Sequence, residues 1–464
     1  ATTPTSGSCH WAAPKPTPPP PPVEVQIEAA EPLRKQLDTH LDLARLVRVA
    51  GGDVNEPISE LELRRLENAT PAQARALLAT EGYMAAQVTT RRESGAASDS
   101  SRRESGAASD YSQRESQQGT DPRPRVRVIA LPAPRTQIAG VTLQVSGPLG
   151  DEAASGDNAA QSLVDQWRGA WTLPAGQPFS NAAWRDAKNN ALARLRGAGY
   201  AAATWQETAA DVDADSARAT LDLTVASGPR FHAGEIVIEG LERQDAKSVR
   251  NLTDFSTGAA ITEQRLLDYQ ERIQRSGLFE GVSVTLDADP ARAAAAKINV
   301  QVREAPLQQA TFGVGVSANS GPRLSAEHAH RRIGGLRATL RNKLEWGPKH
   351  TLYQGELASH ALEGIYRNLL GGAWERVESD SDRVYSERVR LGRAYETQRN
   401  ERLWFVQIEH VRVRPFDTST ADSAGTRTDT TAATLNFNGT WRDLDSIVLP
   451  TRGTSIAFES GVGR

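Results

Sequence analysis

The chain has 464 residues, enough for about three or four domains. Its 54 basic residues nearly balance 57 acidic ones, a net charge of −3, which excludes a global electrostatic case for nucleic-acid binding. A single cysteine, Cys9, excludes an internal disulfide and a multi-cysteine metal site, and no apolar run of about 18 residues supplies a transmembrane helix. A transmembrane β-barrel passes all these tests, because its strands alternate and never form a long apolar run. The chain opens at Ala1 with no charged and apolar leader pattern, so any signal peptide is expected to have been removed or to lie upstream. Residues 1–22 read as a disordered tail, with the unbroken run Pro18 to Pro22 as an extended polyproline spacer.

Three segments then read alike. Leu78 to Tyr83, Leu195 to Tyr200 and Ile273 to Phe279 each end a helical pattern at a glycine, and each leads into an alternating stretch. Gly82, Gly199 and Gly277 are the predicted helix-cap glycines, since glycine adopts the left-handed conformation that stops a helix. Around them the pattern is β-α-α-β-β, over 23–135, 136–228 and 229–306. The third copy is the clearest. Phe231 to Glu239 reads as a strand, 245–252 and 262–276 as helices, and Leu266, Leu267, Tyr269, Ile273 and Leu278 as a buried stripe. In the second copy, 159–171 and 181–195 read as the two helices. The first copy carries an insert. Arg91 to Asp99 recurs as Arg102 to Asp110, and small polar residues cannot bury enough surface to fold, so 91–122 reads as a disordered hairpin loop.

After Pro306 the helical period fades. Ala310, Phe312, Val314 and Val316 alternate with Thr311, Gly313, Gly315 and Ser317, and Leu340, Leu344 and Trp346 sit among Arg341, Lys343 and Glu345. An apolar face against a dense polar one, over about nine to eleven residues, is what a tilted strand needs to cross a bilayer. A soluble β-sandwich also alternates, but its strands are shorter and less charged. Aromatics such as Trp346, Tyr353, Trp404 and Trp441 suit an interfacial girdle. Nine strands are expected over 307–464, with a bulge at His410 to Arg414 where the alternation changes phase. Nine strands leave an open edge, which a bilayer does not tolerate.

Three β-α-α-β-β repeats followed directly by barrel-like strands resemble the Omp85 superfamily, and the repeats look like POTRA domains. A count of three resembles the TamA-like branch, the outer-membrane subunits of translocation and assembly modules. Local sequences support this in order: Glu31 to Arg34 with Leu41 to Leu46, Phe231 to Gly240, Gly313 to Ser317 with Gly321 to Arg323, and Asp443 to Gly453. The resemblance implies α+β repeats, then an all-β, incomplete transmembrane antiparallel barrel with about nine of sixteen strands. The family's inward-loop motif and terminal aromatic strand do not occur, so the chain is expected to be C-terminally truncated, with the rest beyond Arg464. The resemblance makes Ala310, Thr311, Phe312, Gly313, Val314, Gly315, Val316 and Ser317 the first, lateral-gate strand. It makes Asp443, Pro450, Arg452 and Gly453 the Omp85-like mid-barrel hairpin.

The function so implied is membrane insertion or secretion of autotransporter-type clients in a Gram-negative bacterium, by β-augmentation and lateral gating. The implied partners are the outer-membrane bilayer, client polypeptides and a TamB-like inner-membrane-anchored protein, with the repeats in the periplasm. No cofactor, metal or nucleic acid is implied. Two other readings fit less of the chain. A two-partner secretion transporter usually has two repeats, and a soluble periplasmic chaperone-like arm leaves the later strands unexplained. An enzyme is not expected, since no zinc-protease, nucleophile-elbow or phosphate-loop motif occurs. His328 and His330 share a strand face without an evident third ligand, and Asp211, Asp213, Asp215 and Asp222 mimic a calcium loop without its turn glycine and glutamate.

Overall fold

A computed structural model of the chain describes residues 23–50, 59–93, 125–317, 321–416, 428–445 and 449–464. The proline-rich tail, Cys9 and most of the predicted insert lie outside them. The chain divides into two compact units. One holds the first repeat's sheet and the second repeat's sheet. The other holds the third repeat and a large antiparallel sheet, together with Gly147–Asp151 and Arg194–Ala203 of the second repeat.

The first repeat runs β1 (Glu24–Glu28), α1 (Leu33–His40), α2 (Asp42–Ala50), α3 (Glu60–Thr80), β2 (Gln87–Glu93) and β3 (Arg125–Leu131). The second runs β4 (Gln137–Ser146), α4 (Pro148–Ala154), α5 (Asn158–Gly169), α6 (Asn181–Gly197), β5 (Thr204–Asp213) and β6 (Arg218–Ala226). The third runs β7 (Ala233–Glu239), α7 (Ala246–Arg250), α8 (Glu263–Arg275), β8 (Phe279–Leu286) and β9 (Ala296–Glu304). In each sheet the last strand is central, parallel to the first and antiparallel to the second. A parallel first-to-last pair needs a crossover of a dozen residues or more, and the helices between supply it.

The first two repeats each hold one helix more than the sequence predicts. In the first, Leu41 adopts extended ψ 130° and divides α1 from α2. In the second, α4 is only seven residues long, below the length at which periodicity is readable. Strand β2 also runs to Glu93, three residues into the predicted loop. Arg91, Arg92 and Glu93 pair with Arg127, Val126 and Arg125, and Arg92 forms a bidentate ion pair with Glu60. Residues that look loop-like in composition are held here by an edge ladder and by α3.

The third repeat's core gathers Val249, Tyr269, Ile273, Leu278, Ile298 and Val300, all nearly solvent-free. Leu267, predicted in the buried stripe, is 49% exposed. It follows Leu266 by one position, a turn of about 100° that carries it off the face shared by Tyr269 and Ile273.

Candidate functional site

Nine antiparallel strands follow the third repeat in chain order: β10 (Gln308–Ser317), β11 (Gly321–His330), β12 (Ala338–Trp346), β13 (His350–Ser359), β14 (Tyr366–Glu378), β15 (Asp382–Glu396), β16 (Asn400–Pro415), β17 (Thr428–Leu444) and β18 (Gly453–Gly463). Strand β10 has one neighbour, β11, and its other side is an unpaired edge among the described residues. Ala310, Thr311, Phe312, Gly313, Val314, Gly315, Val316 and Ser317 all lie on it, opposite His328 through Gly321. Phe312, Val314 and Val316 are 80%, 85% and 84% exposed. An edge of this kind offers a row of backbone donors and acceptors together with an apolar face.

Gly313 and Gly315 point to the other face. A Cβ on Gly313 would meet the Ser325 hydroxyl at 2.6 Å, and one on Gly315 would have only ordinary contact with Arg323. Crowding therefore does not account for Gly315, and at Gly313 it comes from one rotatable hydroxyl. What both glycines share is the absence of side-chain packing across the β10–β11 ladder.

Residues opposite one another across the ladders share a face, so the register sorts the whole sheet. One face carries Phe312, Val314, Leu324, Leu344, Trp346, Leu370, Val389, Leu391, Trp404, Val406, Ile408, Leu435, Phe458 and Val462, all exposed. The other face carries ion pairs: Lys343 with Glu345 at 2.9 Å, Arg388 with Glu409 at 3.2 Å and Arg442 with Glu401 at 2.6 Å. A contiguous apolar patch of this extent marks a membrane or partner surface. With a polar opposite face, it is the pattern of a membrane barrel wall.

The predicted bulge at His410 to Arg414 is absent. Pairing continues unbroken from Glu387 opposite His410 to Arg383 opposite Arg414. Strand β16 has 16 residues where about 9–11 cross a bilayer. Past Ile408 the face that carried Trp404 and Val406 continues with His410, Arg412 and Arg414. The chemistry changes because the strand outruns the apolar band.

The three cap glycines take positive φ, +93° at Gly82, +108° at Gly199 and +71° at Gly277. Tyr83 and Tyr200 donate back to the carbonyls of Leu78 and Leu195, closing the helix ends. The same glycines serve a second purpose. The Gly82 carbonyl accepts from the Thr136 N–H, and the Thr136 carbonyl accepts from the Phe179 N–H. In the same way Gly199 accepts from Phe231, and Phe231 from Ile261. Thr136 and Phe231 begin the following repeats, so each cap glycine also forms the joint to the next. At Gly277 no repeat follows, and the guanidinium of Arg331 takes the glycine carbonyl at 2.7 Å. Sequence reasoning finds the caps but not Arg331, because nothing local marks an arginine in a strand-ending turn as a substitute for a backbone donor.

In the predicted mid-barrel hairpin, Asp445 accepts from the Thr451 and Arg452 N–H groups and from the Thr451 hydroxyl. Gly453 has φ +129°, and a Cβ there would fall 2.1 Å from the Asp443 carbonyl oxygen. Pro450 lies in the turn between β17 and β18. Asp445 thus ties the end of β17 to the residues that lead into β18, and it lies inside the motif Asp443 to Gly453 although the sequence does not single it out. His328 faces Asn342, and His330 accepts from the Arg332 N–H. Asp213 accepts from Asp215 and Ser216 in a tight turn, while Asp222 lies along β6 opposite Ala209. Among the described residues no three His, Cys, Asp or Glu side chains are grouped to hold a metal ion.

Three POTRA-like α/β repeats followed by part of an antiparallel β-barrel define the architecture, and it is an Omp85-type fold. Among solved structures, the chain is similar to BamA from Haemophilus ducreyi lacking POTRA domains 1-3, at 15% identity and a TM-score of 0.50. The match covers 71% of this chain and 64% of that one, so the chain spans less than two thirds of that structure's length. It is also similar to Haemophilus influenzae BamA POTRA3-5, at 17% identity and a TM-score of 0.32, over 61% of this chain and 95% of that one. CdiB from Acinetobacter baumannii matches at 11% identity and a TM-score of 0.37, over 71% and 62%. No protein-family model and no curated protein matches the sequence.

Proposed function

We propose that the chain belongs to the Omp85 superfamily and is an outer-membrane factor for assembly or translocation of other polypeptides, with its repeats in the periplasm. The observation that carries this reading is the unpaired edge of β10, glycine-interrupted and apolar on one face, at the head of a barrel-like sheet that follows three repeats. An edge of this kind accepts a client strand through backbone hydrogen bonds without reading its sequence, and the apolar face lets the new strand share the lipid-facing band. The chemistry is strand exchange, in which backbone hydrogen bonds change partners and no covalent bond is made or broken, so no enzymatic activity is needed. The TamA-like resemblance supports clients of the autotransporter type and a TamB-like partner, and the three-repeat count favours that branch over a two-partner secretion transporter.

Photo-crosslinking tests the reading. A crosslinking residue in place of Thr311 or Val314, in cells exporting a β-barrel client, is expected to capture the client's terminal strand. The same probe at Trp404, in the middle of the sheet, is expected to capture none. Equal capture at both positions would remove the edge strand from the mechanism.

A further inference from the structure

Strand β10 is the candidate gate, yet its root is fixed by an unusual number of polar contacts. Arg331, at the end of β11, donates from Nε to the Gly277 carbonyl at 2.7 Å. It donates from Nη1 to the Pro306 carbonyl at 2.6 Å and from Nη2 to the Gln309 side-chain oxygen at 2.9 Å. Its own N–H donates to the Leu307 carbonyl. One side chain thus spans the third repeat, the linker and the first residues of β10. Only a guanidinium can do this, since its planar fork presents five N–H donors in fixed directions.

The carbonyl of Arg331 is held as well. It accepts from His360 Nε2 at 2.9 Å, which places the ring proton on that nitrogen. His360 Nδ1 is then an acceptor, and the Ser248 hydroxyl donates to it at 3.0 Å. Ser248 lies in α7 of the third repeat and is fully buried, and His360 is 5% exposed. Beside it, Asn251 donates to the Ala361 carbonyl at 2.8 Å. The chain of contacts runs from α7 through the β13–β14 turn to the base of the edge strand.

We propose that Arg331 is a positioning residue that latches the root of β10, and that Ser248 and His360 make the latch depend on how α7 is seated. A load on the third repeat, such as a client strand bound there, would unseat α7 and free the root of the gate. A buried polar chain suits this role because it holds only while every member is satisfied. The proposal rests on reading β10 as the strand that opens. Its test reads the strand itself rather than client assembly, so the two can fail separately.

The test is amide hydrogen exchange on the full chain in detergent micelles. Arg331→Ala is expected to raise exchange in 308–312 by about fivefold or more, while 403–409 of β16 keeps its protection. Ser248→Ala is the decisive variant, because Ser248 touches His360 and not β10. It is expected to raise exchange in 308–312 by about threefold, the scale of one lost hydrogen bond. Should Arg331→Ala fail to fold, Ser248→Ala still decides. Faster exchange confined to α7, or an equal rise across β10 and β16, would overturn the latch.

Discussion

A methyl group added at Gly199 would meet the carbonyl oxygen of Ile261 at 2.8 Å on a backbone with φ +108°. At Gly82 the same methyl would lie 2.2 Å from the Phe179 oxygen. Gly277 has only the Arg341 guanidinium nearby, at 3.4 Å. A left-handed residue with a side chain costs about 1–2 kcal/mol before any clash is counted. Gly277→Ala is therefore expected to lose about that much stability and Gly82→Ala and Gly199→Ala clearly more, as read from denaturant midpoints of the full chain. The caps were legible because glycine after a helical pattern is a local signal. Their role as joints was not, since Phe179 and Ile261 lie far along the chain and only folding brings their carbonyls close. Acid dependence distinguishes two further residues. Burial pushes the His360 imidazole below its ordinary value of 6.5, with Arg337 and Arg332 acting in the same direction against the hydrogen bond to Arg331. The unfolded chain then binds the proton first, so the stability from His360 is full above 6.5 and falls as pH drops through the folded value. Burial also raises the Glu304 carboxyl, but three N–H groups, from Gln244, Arg243 and Glu242, outweigh it and hold its value below the ordinary 4.5. Its contribution is lost only at more acid pH. Protection of α7 amides is expected to decline from about pH 6.5 downwards, and the decline to vanish in His360→Gln. An unchanged decline in that variant would assign it to another group.

Secondary structure elements were legible where they are long and periodic. Strand β6 and helix α8 follow alternation and a clear apolar stripe. The short helices α1, α2 and α4 were not separable, because eight residues make barely two turns and Leu41 breaks the first pair without a glycine or proline. For β10 the sequence shows two interior glycines, and the structure shows what each faces. A Cβ at Gly315 comes into ordinary contact with Arg323, and one at Gly313 meets the Ser325 hydroxyl, which must shift to admit it. Valine also favours a pleated strand over glycine by an amount on the order of 1 kcal/mol. The double variant is expected to fold and to pair β10 with β11 more firmly. Under the proposed strand exchange, it is also expected to slow client assembly. Heat-modifiable gel migration checks the first expectation and an assembly time course the second. Assembly at the original rate, with exchange in β10 slowed, would show that opening of this ladder is not limiting.

At the scale of the whole chain, the division into α+β repeats and a later sheet was legible from period alone, 3.6 giving way to 2 after Pro306. The phase change in β16 reads as a bulge in sequence because sequence shows alternation but not where the apolar face of a sheet ends. Register supplies that. Leu391 lies opposite Leu370 and Val406, in the middle of the apolar face. Gln407 lies opposite Arg390, on the polar face of the same strand pair. If the apolar face meets lipid, a lysine at Leu391 must enter hydrocarbon, at about 2–4 kcal/mol near the midplane. A lysine at Gln407 joins a polar wall and costs little. In a soluble sandwich this asymmetry is not tied to lipid at all. Folding titrations in phospholipid vesicles are expected to show Leu391→Lys destabilised by that amount and Gln407→Lys near neutral. Brominated lipids are expected to quench single tryptophans at Trp346 and Trp404, which lie on the apolar face, but not at Trp167, whose ring is buried in the second repeat. Quenching absent at all three positions would leave the apolar face to a protein partner instead of a bilayer.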